Sequence, residues 1–246
     1  MADAQLGLGL LCVALAATAN ILGGATVALR RKWDDRVLRY CVALGAGFML
    51  AAVLLKMLPE SMRLTPTAPL LVLAGYLLIH LFEHTVASHF HFGEEVHPER
   101  MSAAVSVSAL VGLVVHSFFD GLTIGSGFLV GQAFGLLLFA AVILHKAPEG
   151  FAIASVVLAA HGTRAQALGA AATVGAASLL GGAAIFGART LVGPALAVSG
   201  GVTLYVAASD LVPEVNKEGG TAIALTVFAG VLLYYLTELA LESAGL

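Results

Sequence analysis

Eight long apolar segments govern what this chain can become. They run over about 5–29, 37–58, 69–90, 103–129, 132–160, 165–188, 193–212 and 221–242. Each approaches or exceeds the ~20 residues that a helix needs to cross ~30 Å of hydrocarbon. A segment inside a bilayer must satisfy its own backbone hydrogen bonds, and this selects helices. Only 11% of the residues are charged, against about 25% in a soluble domain. The fold class read from this is an all-α integral membrane protein with eight transmembrane helices, forming one domain over residues 1–246. The first apolar run is too long for the core of a signal peptide and is expected to be the first span. A formal charge of −3 supplies no basic field for nucleic acid. Cys12 and Cys41 lie in apolar stretches outside any CxxC pair, so neither a disulfide framework nor a thiolate metal site is read.

The cations orient the spans. Arg30, Arg31, Lys32 and Arg36 crowd the first connection, and Arg100, Arg164 and Lys217 fall in the third, fifth and seventh. The even-numbered connections hold only Arg63 and Arg189. The excess of positive charge predicts that the odd-numbered connections are cytoplasmic and that both termini are external. The membrane expected is the plasma membrane. The 28 glycines, dense in GAASLLGGAAIFG of the sixth span, suit helices in close approach. That surface fits either simple packing or a sliding face.

Two pairs of segments repeat. HSFFDG (116–121) matches HKAPEG (145–150), and GFMLAAVLLKMLPE (47–60) matches GVTLYVAASDLVPE (201–214). In the second pair Lys56 corresponds to Asp210 and Pro59 to Pro213. The paired spans would cross in opposite directions, and both pairs nest around the middle of the chain. This predicts inverted repeats, arranged 3+2+3, an architecture of transporters in which similar halves give two faces access to one site.

Residues i and i+4 share a helix face. His116 and Asp120 therefore point one way, and so do His145 and Glu149. If the fourth and fifth helices are neighbours, two imidazoles and two carboxylates meet, a set suited to a divalent first-row cation. A lone carboxylate is costly inside a membrane and calls for a partner, and a dication supplies one. The alternative is a metal-free network of His–carboxylate hydrogen bonds, which two matched copies make the weaker reading. Pro148 leaves the carbonyl of Leu144 without its helical donor. Gly121 and Gly150 admit either a close neighbour or local unwinding, and a helix broken at mid-membrane is expected there.

On these motifs, on the eight spans and on LYVAASDLVPE, the chain resembles the ZIP family of divalent metal transporters over essentially its whole length. The resemblance implies that His116, Asp120, His145 and Glu149 hold a transported ion, Zn²⁺ above all, with Fe²⁺, Mn²⁺, Co²⁺ or Cd²⁺ served by the same donors. It implies alternating access, by sliding of the first, fourth, fifth and sixth helices against the rest, and a homodimer in the lipid bilayer. Ser117 and Lys146 stand where members of the family place further ligands for a second ion. Lys146 departs from that pattern, and its ammonium is expected to occupy the second position and neutralise a carboxylate.

Several residues lie along the path that the resemblance implies. Met49 either reaches the ion through its thioether or is an ordinary core residue. Lys56, near the external mouth, is expected to snorkel to the headgroups unless Glu60 or another carboxylate pairs with it. Asp210, at the cytoplasmic end of the seventh helix, either receives the released ion or forms a local pair or cap. In HLFEHTVASHFHF and GEEVHPER, His80, Glu83 and His84 share a face, followed by His89, His91, Glu94, Glu95 and His97. Glu83 and His84 are the best candidates there for metal contact, against an interfacial role. The leading reading is metal transport toward the cytoplasm by a protein that is not an enzyme. The alternatives are a membrane-embedded metal hydrolase, which would use Ser117 and Glu149, and a metal sensor without turnover.

Overall fold

The computed structural model describes residues 2–29, 35–85, 103–216 and 220–245. Eight of its helices are long and apolar enough to cross a membrane: α1 (Gln5–Ala28), α2 (Arg39–Leu64), α3 (Ala68–Thr85), α4 (Ser106–Val130), α5 (Gln132–Ala159), α6 (Arg164–Gly187), α7 (Arg189–Leu211) and α8 (Thr221–Ser243). Most bounds fall where hydropathy predicts. The exception is α2, which runs to Leu64 rather than stopping near 58. Pro59 does not end it, because a π-helical turn at Val53–Met57 precedes the ring, with Leu58 N–H donating to Val53 O. The wider turn carries the helix up to a residue that has no N–H to give. The same device recurs in α7, where a π-helical turn at Val206–Leu211 precedes Pro213. The repeat seen between residues 47–60 and 201–214 is therefore also a repeat of backbone irregularity.

The helices sort into two groups. α1 packs along α5 and α6, and α4 packs along α6 and α5. In the other group α2 lies along α8, and α3 lies along α7. Reciprocal glycines draw four of these pairs together. A Cβ at Gly23 would overlap the carbonyl of Ala147, and one at Gly150 that of Asn20, which joins α1 to α5. Gly121 and Gly181 meet the carbonyls of Ser178 and Phe118, joining α4 to α6. Gly47 and Gly230 meet those of Val227 and Leu44, joining α2 to α8. Gly75 and Gly201 meet those of Val198 and Val72, joining α3 to α7. Each glycine thus seats on the carbonyl three residues before its partner glycine, and no side chain larger than hydrogen fits at such a crossing. Between the groups the contact is looser. Gly45 of α2 faces Leu144 of α5 at an ordinary 3.6 Å from its Cβ.

The expected break in α5 does not occur. The helix is continuous through Pro148, and Gly121 and Gly150 serve close approach rather than unwinding. The start of α6 is fixed by a capping box, in which Thr163 Oγ1 accepts from Gln166 N–H and the Gln166 side chain accepts from Thr163 N–H. Much of α3 and α8 faces outward. Leu70, Leu81, Phe228 and Leu232 are exposed, as befits helices bathed in lipid. The cations at 30–32, 100 and 217, and the histidines and acids at 89–97, lie outside the described residues.

Candidate metal centre

A single residue, Gly131, separates the end of α4 from the start of α5. His116 lies fifteen residues before it and His145 fourteen after. At ~1.5 Å per residue the two imidazoles must reach the same depth on adjacent helices. Their ring centroids are 5.6 Å apart. Asp120 and Glu149 follow one turn further along their own helices and complete the set. One ligand atom from each of His116, Asp120, His145 and Glu149 lies within 4.8 Å of the others. All four side chains are buried.

The polar contacts converge on one atom. Asp120 Oδ2 lies 3.2 Å from His116 Nε2, 3.4 Å from His145 Nε2 and 2.6 Å from Lys146 Nζ. The other ring nitrogen of His145, Nδ1, is 3.1 Å from Ala141 O, which turns Nε2 toward the carboxylates. Lys146 is fully buried. Besides Asp120, its ammonium donates to Glu149 Oε2 and to Ser117 Oγ, each at 2.6 Å. The Ser117 hydroxyl in turn donates to Glu149 Oε1 at 2.5 Å. The ammonium thus bridges the two carboxylates. One ammonium shared by two carboxylates lowers the cost of burying them.

The outlying residues divide. Met49 is fully buried in the main apolar cluster, which also holds Ala141 and Leu144. Glu83 and Asp210 come together across α3 and α7. Asp210 is 4% exposed and shares a hydrogen bond with Glu83, and Tyr205 O–H donates to Glu83 Oε2 at 2.9 Å. Beside them the hydroxyls of Tyr76 and Ser209 are 2.7 Å apart. His84 is exposed, its ring lies tilted against that of His80 with centroids 4.2 Å apart, and its Nδ1 lies 2.8 Å from His80 O. Lys56 corrects the expectation of snorkelling. Its Nζ is 2.6 Å from Glu238 Oε1 on α8, while Glu60 pairs with Arg63 at 3.1 Å. Glu238 and Tyr205 escape sequence reasoning, since nothing local links Glu238 to a lysine 182 residues away. The one available signal was that Glu238 stands 155 residues after Glu83, close to the offset of the repeat.

The family profile described as "ZIP Zinc transporter" matches residues 93–238, more than half of the chain. The chain belongs to the ZIP zinc transporter family. The matched region contains all four clustered residues and Lys146, whereas Met49 and Glu83 precede it. Among curated proteins the chain is similar to "Zinc transporter ZIP9" of Xenopus tropicalis, 29% identical over 173 residues, which is 70% of this chain and 50% of that protein. It is similar to the same extent to "Zinc transporter ZIP9-B" of Xenopus laevis. "Zinc transporter ZIP9" of Micropogonias undulatus is 29% identical over 172 residues, covering 70% of this chain and 49% of its own length. The chain spans about half the length of these curated relatives. The matching profile is that of a transporter family.

Proposed function

We propose that the chain carries a divalent metal cation, zinc first among them, across a membrane toward the cytoplasm. The observation that carries the reading is the convergence of His116, Asp120, His145 and Glu149 in a buried site on α4 and α5. Two nitrogen and two oxygen donors suit tetrahedral zinc, and they also accommodate Fe²⁺, Mn²⁺, Co²⁺ and Cd²⁺. The ion takes over Asp120 Oδ2, the atom that both imidazoles and the ammonium face. Lys146 keeps Glu149 and Ser117 and holds the place of a second ion, so the carrier is mononuclear.

Alternating access fits the packing. The glycine crossings bind α1 to α5 and α4 to α6 on one side, and α2 to α8 and α3 to α7 on the other. They leave the seam between the groups free of them at Gly45 and Leu144. The group of α1, α4, α5 and α6 moves with the ion against the remainder. Both termini face outside, the membrane is the plasma membrane, and the ion leaves past Asp210 and Glu83 on the cytoplasmic side. The expected homodimer would use the outward faces of α3 and α8. The test is zinc flux into proteoliposomes, with wild type and His145→Ala compared at equal incorporation. Flux abolished by the substitution supports the reading. Undiminished flux, or none in the wild type, opposes it.

A further inference from the structure

The repeat relates more than motifs. Gly47 and Gly201 are 154 positions apart, and so are Lys56 and Asp210. Gly75 and Gly230 are 155 apart, and so are Glu83 and Glu238. The structure makes these offsets physical. The α2–α8 pair, joined by Gly47 and Gly230, has the same reciprocal crossing as the α7–α3 pair, joined by Gly201 and Gly75. Each pair carries a π-helical turn, on α2 and on α7. In each turn stands one charged residue, Lys56 or Asp210. Each charged residue meets a glutamate on the helix that its own is joined to: Lys56 meets Glu238 and Asp210 meets Glu83. The two clusters are therefore one construction used twice, at opposite mouths of the pathway, with the sign of a single charge inverted.

The chemical consequence differs at the two mouths. At the α2 turn an ammonium 2.6 Å from Glu238 Oε1 neutralises the carboxylate. At the α7 turn the second group is itself an acid, and two carboxyl groups in hydrogen-bond contact require a positive charge between them, a proton or a metal ion. Asp210 Oδ2 is buried without a partner, on a side chain that is 4% exposed, so an acceptor remains for a cation.

We propose that Lys56 is a built-in cation that fills, at the α2 mouth, the divalent-metal position that its repeat counterpart Asp210 leaves open at the α7 mouth. The mouths consequently differ in affinity for the transported ion. This asymmetry does not drive transport, which needs a gradient, but it decides on which side an ion dwells after leaving the central site. The inference rests on the transport reading above and names a residue that sets its sidedness.

The test counts zinc bound per chain, by equilibrium dialysis and elemental analysis of the full chain in detergent, at zinc concentrations that saturate the wild type. Lys56→Asp recreates the acidic pair at the α2 mouth and is expected to add one ion per chain, which Glu238→Gln in the same chain removes. Asp210→Asn, nearly isosteric, is expected to remove one weakly held ion from the wild-type count. An unchanged count in a folded Lys56→Asp protein, an added ion that survives Glu238→Gln, or an Asp210→Asn protein with the wild-type count would each overturn the proposal. The same series on a His145→Ala background separates the two readings. The central ion disappears with His145, whereas the Lys56→Asp increment is expected to persist.

Discussion

Replacing Lys146 by Met removes the ammonium and keeps most of the side-chain volume. That ammonium lies 2.6 Å from Asp120 Oδ2, Glu149 Oε2 and Ser117 Oγ and is fully buried. Removing one partner of a buried ion pair costs about 3–5 kcal/mol, so the metal-free variant should melt earlier than the wild type. Zinc reverses the comparison. An ion between the two imidazoles needs Asp120 Oδ2 and must displace the ammonium from it. That charge-assisted hydrogen bond is worth about 1.5–3 kcal/mol. Without Lys146 nothing has to be displaced. Since ~1.4 kcal/mol is a tenfold change in affinity, the variant should bind zinc about 10- to 150-fold more tightly. Competition with a chelating dye in detergent reads the affinity, and melting with and without zinc reads the stability. Equal or weaker zinc binding by a folded Lys146→Met protein would refute the idea that ammonium and metal compete for one oxygen.

Further predictions concern the rest of the scaffold. Lys146→Asp should raise the number of ions held at the centre from one to two, read by elemental analysis; an unchanged number would mean that Lys146 does not stand in for a metal. Gly181→Val would drive a side chain into the carbonyl of Phe118 and should cost about 1–3 kcal/mol, seen as a lower melting temperature. Gly169→Ala, on the same helix but with open space around it, should be neutral or gain about 0.5–1 kcal/mol. Thr163→Ala removes the side-chain acceptor of the α6 capping box and should cost about 1 kcal/mol without changing zinc stoichiometry.

Much of this was legible in the sequence because membrane folding rests on length and hydropathy. The eight spans follow from the thickness of hydrocarbon, and the four clustered side chains follow from helical periodicity once α4 and α5 are neighbours. Gly131 makes them neighbours. What stayed hidden depends on which helices touch. The glycines at 23, 75, 181 and 230 look alike in sequence with Gly169 and Gly187, which face open space. Only the crossing of two particular helices tells them apart. Lys56 was legible as an anomaly, but its partner Glu238 lies on a helix at the far end of the chain. The continuity of α5 through Pro148 also went against expectation. A proline lacks one hydrogen bond, yet the neighbouring helices hold α5 together through the close approach at Gly150. The π-helical turns in α2 and α7 were foreshadowed only by their prolines, since a helix can meet a proline by ending, kinking or widening.

The most direct test of the central claim is a crystal structure grown in zinc, with data collected on both sides of the zinc absorption edge. The account predicts an anomalous peak about 2.0–2.2 Å from His116 Nε2, His145 Nε2 and an Asp120 oxygen, with the Lys146 ammonium still on Glu149. Saturating zinc that leaves no peak between those side chains, or a peak held elsewhere while Lys146 still grips Asp120, would contradict it.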